Sequence, residues 1–142
     1  MENSVYLSVV ISHKTKEILW WKLSVCNDTK LIMDSFDAIK NKLIKAIVHS
    51  DHCACYSSER FKKINELNWI QPMWRVGNLL DNQVVEYWFS ILKTELIYKL
   101  NIKQMSFREL EQTIAEYIDY YNNVRIQAKL NWMTPSQYRN QL

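Results

Sequence analysis

A single glycine and two prolines in 142 residues set this sequence apart, since average glycine usage alone is about 7%. That scarcity excludes collagen-like repeats and glycine- or proline-rich linkers, and no internal repeat or low-complexity stretch takes their place. No apolar run approaches the roughly 18 residues needed to span a bilayer, so the sequence does not read as a membrane protein. Cysteine is sparse and odd in number: Cys26, Cys53 and Cys55, with no secretory leader ahead of them. This excludes a disulfide framework and points to a reducing, cytoplasmic setting. Charge is also nearly balanced, 18 Lys and Arg against 15 Asp and Glu. A net charge of +3 is compatible with a nucleic-acid partner without demanding one.

What is present is a sequence that can bury a core: 48% hydrophobic and 13% aromatic. Residues 1–142 read as one domain, too short for a second of ordinary size. Val5–Ile11 and Glu17–Val25 are β-branched and apolar on either side of His13-Lys14-Thr15-Lys16, which predicts two adjacent strands. Asn27-Asp28-Thr29 offers a helix cap. Ile32, Phe36, Ile39 and Leu43 then follow at helical spacing. A short strand over Ala46–His49, a helix over Glu59–Leu67 and a strand around Trp69–Met73 come next, with a glycine-bearing loop at Arg75-Val76-Gly77-Asn78.

The remainder is helical. Asp81 to about Leu100 carries Val85, Trp88, Phe89, Leu92 and Leu96 on one face. Ser106-Phe107-Arg108-Glu109 forms a capping box before a second helix whose core face is Phe107, Leu110, Ile114, Tyr117, Ile118 and Tyr121. Thr134-Pro135-Ser136-Gln137 opens a short terminal helix. The order β-β-α-β-α-β-α-α implies an α/β fold with a mixed sheet and flanking helices, antiparallel at the hairpin and parallel across the helical crossover.

Two acids stand out. Asp51 follows an apolar strand, where a carboxylate faces the crevice of an open α/β sheet. Glu86 lies on its helix away from the core stripe, with Ser90 and Lys93 on the same ridge. Such a pair could hold a hard divalent cation, which prefers oxygen ligands; equally, Asp51 could cap a turn and Glu86 could be merely solvated. His49, His52, Cys53 and Cys55 raise zinc as an alternative, but Cys-x-Cys is not finger spacing and no second pair follows. The aromatic residues admit base stacking, although Trp88, Tyr117 and Tyr121 at helical spacing read as core. A basic stripe of Lys93, Lys99, Lys103 and Arg108 admits either DNA contact or a plain solvated face.

The stretch Val48-His49-Ser50-Asp51-His52-Cys53-Ala54-Cys55-Tyr56-Ser57-Ser58 resembles the "HSD-x-G-x-x-Y-x-S" signature of transposases of insertion-sequence family three. The run from Met73 to Glu95 is similar to their "S-R-x-G-N-x-x-D-N-A-x-x-E-x-F-F-x-x-L-K-x-E" block. The ending resembles "Y-I-x-x-Y-N-x-x-R" at Tyr117–Arg125 and "L-x-x-x-T-P-x-x-Y" at Leu130–Tyr138. Three ordered motifs span nearly the whole chain.

The resemblance implies a ribonuclease-H-like mixed sheet with flanking helices and a DDE polynucleotidyl transferase, in which three carboxylates hold two Mg²⁺ (or Mn²⁺) ions. By position Asp51 is the second acid and Glu86 the third, both metal ligands and catalytic. Their interval is one residue short of the family's, which implies a deletion between Phe61 and Leu67. Lys93 matches a basic residue that would contact a DNA phosphate. Asn82 and Arg125 fall on motif positions and stand with it as DNA-contact candidates. The implied partners are transposon-end and target DNA, in a homo-oligomer or a mixed assembly with intact transposase.

The family's first acid, in "W-x-x-D-x-T-Y" on the first, central strand, has no counterpart in this sequence. The resemblance therefore implies an incomplete core, inactive alone and exposing unpaired strand edges. The family glycine after the second acid is Cys53, and others are replaced by Trp20 and Trp132, which is expected to strain the backbone. Two other classes fit the same residues: a non-catalytic module that binds DNA or transposase, and a functionless remnant.

Overall fold

A computed structural model describes residues 4–26, 30, 34, 37, 47–49, 71–73 and 83–142. The expectations for Asp51, Asn82, His52, Cys53, Cys55, the Phe61–Leu67 deletion, the Glu59–Leu67 helix and the Arg75–Asn78 loop lie outside these residues, as do Ile32, Phe36, Ile39 and Leu43.

The N-terminal strands form as the β-branched pattern dictates. β1 (Tyr6–Ile11) pairs antiparallel with β2 (Ile18–Ser24), from Tyr6 opposite Ser24 to Val10 opposite Trp20. A register shift then brings Ile11 opposite Ile18. In the connection the Ser12 amide donates to the Glu17 carbonyl at 2.8 Å and the Lys16 amide to the Ser12 carbonyl at 2.9 Å. Closing this loop places Lys16 in the left-handed region, φ 60°. Lys30, Asp34 and Asp37 are helical; the cap expected at Asn27–Thr29 lies outside the described residues. Lys22 on β2 pairs with Asp34 at 2.9 Å.

β3 (Ile47–His49) and β4 (Gln71–Met73) pair in parallel, the orientation the helical crossover predicts. The described strands thus form an antiparallel ladder and a parallel one.

α1 (Gln83–Glu95) and α2 (Phe107–Asn123) supply most of the core. Between them lie two short 3₁₀ turns, Ile97–Lys99 and Ile102–Gln104. α1 ends before the expected Leu100: the Thr94 hydroxyl donates back to the carbonyls of Ser90 and Ile91, a bond that competes with the helical ladder at its last turn. α2 starts where expected, Ser106 and Glu109 closing both halves of their capping box. α3 (Pro135–Asn140) does the same with Thr134 and Gln137, and has proline in its first turn.

Ile18 and Leu23 of β2 pack with Trp88, Ile91 and Leu92 of α1 and with Leu110, Ile114, Tyr117, Ile118 and Tyr121 of α2. Trp88 is 1% exposed and meets Phe89 and Tyr121 edge-on, with ring centroids 5.2 Å and 6.2 Å away. Such contacts add about 0.5–1.5 kcal/mol beyond burial. The stripe read from sequence is rotated slightly: Val85, Phe89 and Leu96 are half-buried and Ile91 is buried instead.

Two polar ties fix α2 to its neighbours. The Asn122 side chain both accepts from the Ile18 amide (2.9 Å) and donates to the Ile18 carbonyl (3.0 Å), so one carboxamide acts as a strand partner for the start of β2. At the other tie, Arg125 donates through Nε and Nη2 to Glu95 at 2.7–3.1 Å, and the Tyr117 hydroxyl donates to the same carboxylate at 2.8 Å. Burial pushes the Glu95 carboxyl up, but the Arg125 and Tyr117 bonds outweigh it and hold the group below its ordinary value. Burial and the bond to Glu95 raise the Tyr117 phenol.

Trp132 has φ 61° and follows Asn131 at φ 55°. Trp132 therefore does occupy a left-handed position that glycine would take without strain. Trp20 does not: it sits inside a paired strand, so the expected strain there is absent.

Two predictions follow from these constraints. Trp132 is 70% exposed, so Trp132→Gly gives up little packing and relieves a left-handed side chain that costs about 1–2 kcal/mol; even after the added chain entropy, thermal melting should show a gain of roughly 0.5–1 kcal/mol, and a loss would contradict the strain. A depressed carboxylate stabilises the fold fully above its unfolded value, about 4.3, and that contribution is lost as pH falls through the folded value. Melts taken from about pH 6 to about pH 3 should fall less steeply for Glu95→Gln than for the parent chain; parallel curves would show that Glu95 does not carry the acid sensitivity.

Candidate functional site

Because Trp88, Ile91 and Leu92 face the core, helical periodicity of roughly 100° per residue turns Glu86, Ser90 and Lys93 outward together. All three are exposed. With Phe89, Thr94 and Tyr98 they line one shallow groove of about 500 Å³, so the ridge read from sequence exists as a surface feature.

Glu86 lies in the first turn of α1 and Lys93 in the last, where the helix dipole favours a carboxylate and an ammonium respectively, by about 0.3–1 kcal/mol each. Seven residues at 1.5 Å rise separate them by about 10 Å along the axis, too far for an ion pair. Neither has a hydrogen-bond or ion-pair partner among the described residues. The groove therefore offers an anionic oxygen site at one end and a cation at the other, with the Ser90 hydroxyl between.

Arg125 is placed elsewhere. Its guanidinium is committed to Glu95 in a half-buried pair, and the hydrogen bond to Glu95 outweighs the downward push of burial and keeps it firmly charged. Sequence reasoning singled out Arg125 but missed Glu95, because nothing local announces a pair 30 positions apart. Lys99, Lys103 and Arg108 are exposed, and Lys103 lines an apolar cleft with Lys93, Phe89 and Leu92. Cys26 is exposed and free. Among the described residues no three His, Cys, Asp or Glu side chains gather as a metal site, and no helix is long and apolar enough to cross a membrane. Asp51 and Asn82 lie outside the described residues.

The segment that carries Glu86, Lys93 and the Glu95–Arg125 pair matches the integrase core domain family over residues 86–142. In sequence the chain is 38% identical to the InsK transposase-like product of insertion sequence element IS150 in Escherichia coli, over 98% of this chain and 50% of that protein. It is 36% identical to an uncharacterized transposase-like protein of Haemophilus influenzae, over 99% of this chain and 65% of that one. The chain thus spans about half to two thirds of the length of these relatives. In structure it resembles the HTLV-2 integrase catalytic core domain in complex with magnesium, with a TM-score of 0.74 at 15% identity, covering 96% of this chain and 86% of that one. In sequence the chain is thus similar to insertion-sequence transposases over part of their length, and in fold it is similar to retroviral integrase catalytic cores, a ribonuclease-H-like α/β architecture.

Proposed function

We propose that this chain forms part of a divalent-metal-dependent core that cuts and joins DNA, with Glu86 as an acidic metal ligand and Lys93 as a phosphate contact. The carrying observation is that these two side chains, unpartnered among the described residues, line one groove at the start of the segment matching the integrase core family. An exposed carboxylate with no competing hydrogen bond suits a hard cation that takes oxygen ligands. Asp51 is the second acid of the proposal. When bound, the metal supplies charge neutralisation for attack on a phosphodiester. Lys93, at the far end of the groove, draws a backbone phosphate toward Glu86 and fixes its register without reading sequence. Arg125 acts on this reading as a positioning residue, holding the end of α1 to α2.

The HTLV-2 core that this fold resembles is described with magnesium and in a trimeric form, which supports Mg²⁺ or Mn²⁺ as cofactor and an oligomer, either of this chain or mixed with longer transposase. The DNA partners of the proposal are transposon ends and target, and its setting is the cytoplasm. Residues 1–142 function in it as a single unit that carries Asp51 and Glu86.

The test is Mg²⁺- or Mn²⁺-dependent cleavage and joining of labelled DNA ends, with and without an added peptide carrying the family's first strand. The expected outcome is activity only with the peptide. Glu86→Gln should lower that activity by a factor on the order of 10²–10³ or more, the scale of losing one transition-state electrostatic group. Activity unchanged by Glu86→Gln, or none under any condition, would overturn the proposal.

A further inference from the structure

A second polar cleft, of about 210 Å³, opens on the neighbouring face of α1, between the β1–β2 connection and the loop after α2. Tyr87 is one residue beyond Glu86, and so about 100° around the helix from it. The cleft is lined by His13, Lys16, Tyr87, Tyr121, Gln127 and Lys129, among others, and by no acidic side chain among the described residues. Glu17, beside Lys16 in sequence, is buried and committed to Arg139 of α3.

Three features of this cleft are unexplained by packing. Lys16 is held half-buried at a positive φ, with one ammonium hydrogen on the His13 carbonyl. Burial and the charge of Lys129 both press its ammonium toward the neutral form, so two cations repel each other across one small space. Lys129 also sits 5.3 Å from the Tyr87 ring centre, and that ring is 56% exposed. Finally, Gln127 is only 9% exposed, yet its Nε2 has no hydrogen-bond partner. The Gln127 side chain interacts with the Tyr121 phenol and opposes the upward push of burial on it, in a geometry short of a full hydrogen bond from Nε2. A buried donor left this way is unfavourable, because it has lost water without gaining a partner.

One ligand answers all three: an anion with several acceptor oxygens. We propose that this cleft binds a phosphate group of a DNA strand, with Lys16 and Lys129 as the charged contacts, Gln127 as the neutral donor on its floor and Tyr87 as a stacking face for the adjoining nucleotide. Lysines serve as compact point charges for a tetrahedral anion, and an exposed tyrosine ring accepts any base. The choice of DNA as the source of the phosphate rests on the proposed function above. Because the cleft and the Glu86 groove flank one helix, a strand lying along the groove passes near both.

The experiment follows the Gln127 side-chain amide by ¹⁵N NMR during titration with inorganic phosphate and, separately, with a labelled DNA duplex whose affinity is read by anisotropy. The variants are Lys16→Asn with Lys129→Gln, and separately Lys93→Gln; asparagine is chosen because it tolerates the left-handed backbone. Circular dichroism and melting confirm that each variant is folded. Both ligands should shift the Gln127 amide. The double variant should weaken DNA binding at least tenfold and reduce the salt slope by about two, the counterions released by two phosphate contacts. Lys93→Gln should weaken DNA binding but leave the Gln127 shift intact. If DNA binding depends on Lys93 while the Gln127 amide never moves, the cleft proposal is overturned and the groove reading stands. A shift with inorganic phosphate but not with DNA overturns the DNA source, and DNA binding indifferent to both sets of lysines overturns the groove reading as well.

Discussion

Burial of Trp88 is the constraint on which the described structure depends. At 1% exposure its indole must be enclosed by α2 and β2, and removing such a side chain costs about 3–5 kcal/mol. Seating it fixes the rotation of α1 about its own axis. Every other side chain of that helix is then assigned a face: Ile91 and Leu92 to the core, Glu86, Ser90 and Lys93 to one groove, and Gln83, Val84 and Tyr87 to the cleft beside it. The chemistry-bearing positions are thus set by the packing of one tryptophan.

Apolar packing alone leaves helices free to slide, and the two polar ties remove that freedom. Asn122 registers α2 against the first residue of β2 through two backbone bonds. Glu95 gathers Arg125 and Tyr117, joining the last turn of α1 to α2 and to the chain beyond it. Both are directional, and a misplaced helix would leave a half-buried charge or two backbone groups unpaired. Arg125 is therefore taken up in holding the end of α1, whereas Lys93 is exposed in the groove.

Much of this was legible in the sequence because it is written locally. Ser106 with Glu109 and Thr134 with Gln137 are four-residue signals, and both capping boxes form. The α2 face from Leu110 to Tyr121 follows from periodicity and is buried. The hairpin pairs as its β-branched runs suggest. What escaped is long-range or fine-grained. Ile91 rather than Val85 is buried because a stripe of 3.6-residue period leaves the flanking positions ambiguous until a partner helix is placed. The Asn122–Ile18 tie spans 104 positions, and the Glu95–Arg125 pair has no local pattern. Trp132 at a glycine-like position was read from the motif match, but Lys16 in the same conformation had no such signal. At the candidate site, the Glu86–Ser90–Lys93 ridge was readable from helical spacing, while the cleft at Gln127 depends on three separate segments meeting.

The central claim is that α1 is held as one cooperative unit with α2 and β2, so that its two outer faces are presented in fixed register. Native-state amide hydrogen exchange in rising denaturant tests it most directly. The account predicts that the amides of Ile91 and Leu92 open together with those of Ile114, Ile118 and Leu23, merging into one free energy of opening. Exchange of the α1 amides at a lower, denaturant-independent free energy, with α2 still protected, would contradict it: α1 would then be a locally fraying helix and not a rigid platform for Glu86 and Lys93.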